Sequence, residues 1–375
     1  MKFTIDPHVI NEGLQKVSKV VSAKVTIPIL QGILLDVSNE EIVLTGSDGT
    51  ETVQYCIPVD GEAVDVVEPG KIVITKQTVE ILKKAKKVIH FTTNELSLNV
   101  KFARSDFDLN CLDGEEYPKF PVIDLRNPNI TLKGEEFSDF VRKTAFAAST
   151  SETRPILTGI LLNVEDGKST LVCTDSHRLA RISQTCDSDE KFKIVIPAKS
   201  LNNAQKVFNM ENDVKLYGTE TQILLKCGNI LFLSRLLEGN YPDTARLIPT
   251  EHKSKMTINR KELLDGLEIL KELSNSIEST TSGVVKMHIN GVCSLSSYQD
   301  QRGKGKNDIE YSSYEGEEDF TISFSVKYAL EALKSMEAAE VDFLFSGDMR
   351  PFLIAPTSTE QVLDELQLIL PVRTY

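Results

Sequence analysis

Asp175, Ser176 and His177 stand side by side and supply the three side-chain types of a nucleophilic hydrolase. A working triad draws its members from separate elements that converge in space, whereas three successive residues diverge from one backbone, so this run is read as a turn. Asp48, in an earlier TGSDG segment, is read as a turn residue on the same grounds and not as half of a carboxylate pair. Cys56, Cys111, Cys173, Cys186, Cys227 and Cys293 form no Cys-x-x-Cys pair and have no histidine at ligand spacing. Neither a zinc site nor a disulfide framework is expected, and the cysteines are read as reduced, mostly core thiols. GxSxG elbows, phosphate-binding loops and GxGxxG turns are all missing from the sequence. The chemistry expected is therefore binding, with no catalytic residue, no cofactor and no metal.

A net charge of −13 argues at first sight against a nucleic-acid partner, because phosphate affinity comes from Lys and Arg. Distribution matters more than the sum. Acidic residues gather in expected loops, such as Asp187, Asp189 and Glu190, and Glu315, Glu317, Glu318 and Asp319. Residues 76–87, read as a helix, carry Lys76, Lys83, Lys84, Lys86 and Lys87 against Glu80 alone. Such a run is an ordinary solvated helix face unless a larger architecture turns it toward an anion. No apolar run is long enough to span a bilayer, and MKFTIDPHVINEG lacks the basic start and apolar stretch of a secretory signal, so a cytoplasmic protein with no membrane partner is expected.

The elements that would position these residues come in repeats. PILQGILLDV from Pro28 returns as PILTGILLNV from Pro155, 127 positions on, and the same offset carries Asp48 onto Asp175. FTI at Phe3 matches ITL at Ile130 and MTI at Met256, which marks three units with boundaries placed at 1–127, 128–252 and 253–375. Each opens with a short strand and then a helix. In the first, Asp6 and Pro7 supply an N-cap and a first-turn proline, and Ile10, Leu14, Val17 and Val21 share a face. Phe137, Phe140, Val141, Ala145 and Ala148 do so in the second, and Leu263, Leu264, Leu267 and Leu270 in the third. A second strand and helix follow in KIVITKQTVEILKKA, KIVIPAKSLNNAQKVF and FTISFSVKYALEALKSM, and Tyr-Pro corners close the first two units at Tyr117 and Tyr241. Two helices and several short strands per unit predict an α+β fold: antiparallel sheets covered by helix pairs, with sheets running on from unit to unit. Such a curved array can close by dimerisation.

At TDSHRLA (174–180), SRLLEGNYPD (234–243) and the terminal LILPVRTY (368–375), the chain resembles the β subunit of bacterial DNA polymerase III, the sliding clamp, and the likeness runs end to end. The resemblance implies a clamp of three similar domains that closes into a six-domain ring as a head-to-tail homodimer. It would encircle double-stranded DNA without sequence preference, as a non-enzymatic processivity factor of the nucleoid. It also implies a groove for short linear peptides of the polymerase III α subunit, the clamp loader, other polymerases and mismatch-repair proteins. One wall would be Leu157, Thr174, Ser176, His177, Arg178 and Leu179 with Pro242, Arg246 and Leu247. The other would be Tyr328, Met349, Pro351, Leu370, Pro371, Val372 and Arg373. The leucines and Val372 could bury apolar anchors, and Arg178, Arg246 and Arg373 could orient polar groups at the rim. For DNA the resemblance points to Lys24, Arg154 and Lys199, and composition adds Lys83, Lys84 and Lys87, all suited to phosphate attraction without base reading. Two positions depart from the family's pattern: Ser176 replaces the usual Gly before His-Arg-Leu, and Ser325 replaces a frequent Asn. An acidic scaffold that never meets DNA, and an enzyme with an unrecognised site, are the alternatives.

Overall fold

The computed structural model describes residues 1–186, 188, 191–274, 283–299, 302–357 and 364–373. Asp187, Asp189, Glu190 and Tyr375 lie outside them. Six α-helices are present among the described residues: α1 (Pro7–Val17), α2 (Lys76–Leu82), α3 (Gly134–Thr144), α4 (Ala198–Val207), α5 (Arg260–Ser274) and α6 (Val326–Ser335). They fall two to a repeat, as the spacing predicts. The predicted cap is in place: Asp6 accepts from the backbone N–H of His8 at 2.8 Å, with Pro7 opening α1.

Two predicted helix faces run too far. α1 stops at Val17, short of Val21, because the Ser18 hydroxyl takes the Leu14 carbonyl and the next two N–H groups turn back by three residues, tightening the chain. α3 ends in the same way. The Thr144 hydroxyl donates to Phe140, a 3-10 turn follows over Ala145–Ala147, and the buried alanine is Ala147, whereas Ala145 and Ala148 are half-buried. The predicted lysine helix over 76–87 is shorter still. α2 ends at Leu82, and Lys84 and Ala85 make three-residue turns back to Ile81 and Leu82. Extending it would stack four lysines on adjacent turns with only Glu80 to offset them.

The chain divides into two compact units, Met1–Ser138 with Lys199–Leu236, and Asp139–Ala198 with Leu237–Tyr375. Their borders all fall inside the second repeat, and the strand pairings explain why. In the first unit a nine-stranded antiparallel sheet joins Glu51–Pro58 of the first repeat to Ile230–Arg235 of the second, with Phe232 opposite Val53. In the second unit another nine-stranded sheet joins Arg178–Thr185 of the second repeat to Asp364–Ile369 of the third, with Leu179 opposite Leu368. The second repeat thus gives its strands to both sheets, and the expected continuation from repeat to repeat is present.

A five-stranded sheet completes the first unit and a four-stranded sheet the second. Helices pack closely on the sheets of each unit. Gly13 of α1 lies so near Leu44 and Tyr55 that a β-carbon there would sit 2.6 Å from Leu44 Cδ1. In the second unit α5 and α6 pack together over a core that includes Leu263, Leu267, Leu270, Phe324, Phe343 and Phe352.

The seam strand Asp364–Ile369 lies between two neighbours, Arg178–Thr185 and Phe352–Pro356, and its Leu368 is 4% exposed. Leu368→Ala should therefore cost about 3 kcal/mol through lost burial and the cavity left behind, read as a lower denaturant midpoint.

Candidate functional site

Every residue expected to line the peptide groove belongs to the second compact unit. The turn that carries His177 follows from Asp175. Its Oδ1 accepts from the backbone N–H groups of His177 and Arg178 at 2.9 and 3.0 Å, and the Thr174 hydroxyl donates to the Arg178 carbonyl. Asp48 makes the same turn with Thr50 and Glu51, both at 2.8 Å, so the two aspartates are turn formers as expected. No triad assembles at this turn: the Ser176 hydroxyl accepts from Arg154, and the ring of His177 lies over that of Tyr328 at 6.5 Å.

Beneath the turn is an apolar floor. Leu157, Leu179, Leu353, Leu366, Leu368 and Tyr241 form one buried cluster, with Leu370, Ile248 and Leu344 packed against it in part. Tyr241 fixes one edge, its hydroxyl accepting from the Thr174 N–H at 3.1 Å. On the other side the tail is tied down by its backbone. Leu370 N–H donates to the His177 carbonyl at 3.0 Å, prolonging the seam ladder, and Val372 N–H donates to the Ser323 carbonyl at 2.7 Å. Leu370, Pro371 and Val372 stay half-buried, and Arg373 is exposed. Of the other residues expected at the groove, His177, Pro242, Arg246, Leu247 (52%) and Met349 (48%) are exposed, and Pro351 and Tyr328 are half-buried. Large apolar side chains left in water beside a dry floor are what a docking segment can cover.

The rim role expected of Arg178 is corrected. Its side chain is 7% exposed, held by Asp175 at 3.0 Å, by Glu331 and by the Phe146 carbonyl at 2.6 Å, with its guanidinium 4.5 Å from the Tyr328 ring centre. It braces the His177 turn against α6 from a nearly buried position. Arg246 does face solvent, paired with Asp243 at 2.8 Å. No sequence pattern marks Phe146 and Glu331, whose place here comes from their contacts with Arg178. Thr174 is buried at 5% exposure, so it shapes the wall from behind.

Both departures from the family pattern have a local explanation. Ser176 sits at φ 78°, and Gly49, its counterpart in the first repeat, at φ 90°. The turn therefore demands a left-handed residue, and Ser176 meets that demand under strain. Ser325 caps α6, its hydroxyl accepting from the Tyr328 N–H, which is the work an Asn would do there.

The cationic candidates are scattered. Lys24, Arg154 and Lys199 are exposed, Lys199 in the first turn of α4. Lys83 pairs with Glu80 at 2.8 Å, and Lys84 and Lys87 are exposed beyond the end of α2. All six cysteines are free, and burial pushes the Cys56 thiol up to about 11, far from a reactive thiolate at neutral pH. No metal-holding cluster occurs among the described residues, and no helix there is long and apolar enough to cross a membrane.

A thrice-repeated α+β unit, joined by continuous antiparallel sheets and carrying a leucine cluster beneath the His177 turn, defines a clamp-type protein. Family comparison agrees domain by domain. Residues 1–121 match the DNA polymerase III beta subunit N-terminal domain, 131–243 its central domain and 245–373 its C-terminal domain. The chain belongs to the DNA polymerase III beta subunit family, the bacterial sliding clamps. It is 40% identical to the beta sliding clamp of Bacillus subtilis and 36% identical to that of Staphylococcus epidermidis, with all of each chain covered. Its structure matches the crystal structure of the B. subtilis DNA polymerase sliding clamp with a TM-score of 0.93 at 39% identity. The Streptococcus pneumoniae DNA polymerase III beta chain gives 0.93 at 33%, again with full coverage of both chains.

Replacing Ser176 by Gly removes the left-handed strain but adds backbone entropy to the unfolded chain. The net expectation is a gain on the order of 0.5–1 kcal/mol, read as a small rise in Tm.

Proposed function

We propose that this DNA sliding clamp closes as a head-to-tail homodimer around duplex DNA and acts there as a non-catalytic processivity factor in the cytoplasm, on the nucleoid. Its three domains would be 1–127, 128–252 and 253–375. The groove of Leu157, His177, Leu179, Leu247, Met349 and Leu370 would take linear peptides of the polymerase III α subunit, the clamp loader, other polymerases and mismatch-repair proteins.

The observation that carries the reading is a pair of unlike sheet edges. Ser105–Asn110 ends the five-stranded sheet with Asp106 and Asp108 outward, Asp106 paired with Lys101 at 3.0 Å, and Gly303–Ile309 ends the four-stranded sheet with Lys304, Lys306 and Asp308 outward, Lys306 paired with Asp308 at 3.0 Å. Two open edges on one chain, the first with outward aspartates and the second with outward lysines, are suited to pairing with a second copy head to tail, which satisfies the free N–H and C=O groups of both. Lys24, Arg154, Lys199, Lys84 and Lys87 fit phosphate attraction without base reading, the property a sliding protein needs. An enzyme is disfavoured by the dispersed Asp175, Ser176 and His177 side chains. A DNA-free scaffold is disfavoured by the family.

Retention on DNA should be topological. Clamp loaded on nicked circular DNA should stay through a high-salt wash and leave once the DNA is linearised; equal loss from both forms would exclude encirclement.

Removing residues 370–375 takes Leu370 and Val372 from one wall while leaving both outer sheet edges in place. Affinity for a labelled polymerase-tail peptide should fall by at least ~2 kcal/mol, roughly thirtyfold, with dimer mass by light scattering unchanged. Unaltered affinity in the truncated dimer would put the site elsewhere.

A further inference from the structure

The first compact unit contains a groove built on the plan of the second. The shared offset of 127 puts Leu30 where Leu157 stands, Thr50 where His177 stands and Thr52 where Leu179 stands, and the Asp48 turn repeats the Asp175 turn. Tyr117 is the buried corner tyrosine matching Tyr241. In the seam strand, Leu233 lies opposite Thr52 as Leu368 lies opposite Leu179. Even the bond beyond the ladder is kept: Arg235 N–H donates to the Thr50 carbonyl at 3.2 Å, as Leu370 N–H does to His177. A cavity of about 210 Å3 lies here, bordered by Leu30, Thr50, Thr52, Tyr117, Leu233 and Arg235.

The floors differ in chemistry. In the second unit Leu157, Val172, Leu179 and Leu368 belong to one continuous apolar cluster. In the first unit the matching positions fall into two separate clusters, Leu30 with Leu34, Val73 and Tyr117, and Leu233 with Tyr217 and Leu224. Hydroxyls lie between them. Thr45 replaces Val172 and accepts from Gln54 at 3.2 Å, and Thr52 replaces Leu179 and shares a 2.8 Å hydrogen bond with Ser47. At the lip, exposed Arg235 replaces half-buried Leu370. An apolar anchor entering this groove would lie against hydroxyl groups and cover a charged stem, where in the other it meets a floor of leucine.

We infer that the chain carries two grooves of one design, and that Val172, Leu179 and Leu370, against Thr45, Thr52 and Arg235, confine the partner peptide to one of them. The inference rests on the groove assignment made above, and the two are separable by counting sites. Isothermal titration of full-length dimer with a labelled polymerase-tail peptide should give one site per chain. The Thr45→Val/Thr52→Leu/Arg235→Leu variant should gain a second site within about tenfold of the first in affinity, a difference of ~1.4 kcal/mol. Since Thr45 is buried, the Thr52→Leu/Arg235→Leu variant, changed only at half-buried and exposed positions, provides the same count if the triple variant does not fold. The converse Leu179→Thr should weaken the native site at least tenfold. Two sites in the unaltered protein, or one site in a variant that keeps its Tm and dimer mass, overturns the inference. Absence of any site in the unaltered protein overturns the groove assignment itself.

Discussion

Backbone hydrogen bonding across repeat boundaries is the constraint on which the rest depends. A strand buried between two others must pair on both sides, and an unpaired N–H or C=O in such a place costs as much as a lost hydrogen bond. Asp364–Ile369 meets that requirement only by lying between Arg178–Thr185 and Phe352–Pro356, strands of two different repeats. Ile230–Arg235 does the same between Glu51–Pro58 and Gln222–Cys227. The repeats are thus joined by sheet, and the compact units cut across them.

The groove is a consequence of that seam. Where the ladder between Arg178–Thr185 and Asp364–Ile369 runs out, the Asp175 turn bends one strand away, and the tail leaves with a last bond from Leu370 to His177. The space between them keeps the apolar side chains of both strands as its floor. Arg178 then fixes the turn by reaching Asp175, Glu331 and the Phe146 carbonyl together. A buried guanidinium held by three acceptors restricts the turn to one arrangement, so the exposed His177 is presented from a rigid base.

The same construction serves twice. Duplicated backbone, turn and seam hold in both units, while a few floor residues change from aliphatic to hydroxyl. Backbone geometry and surface chemistry are therefore set by separate positions, and recognition can differ between the two junctions without altering the fold.

The sequence by itself determined the threefold repeat, the six helices and their order, the Asp6 cap and the Asp48 and Asp175 turns, because each rests on local spacing or on a side chain that bonds its own backbone. It also placed Leu157, Leu179 and Leu370 at one site through family likeness. Tertiary structure decided where helices stop, since Ser18 and Thr144 compete for carbonyls that periodicity alone leaves to the helix. It decided that Arg178 is a brace, because Phe146 and Glu331 are 32 and 153 positions away in sequence. It decided as well which repeats share a sheet, a matter of long-range register that no local pattern records.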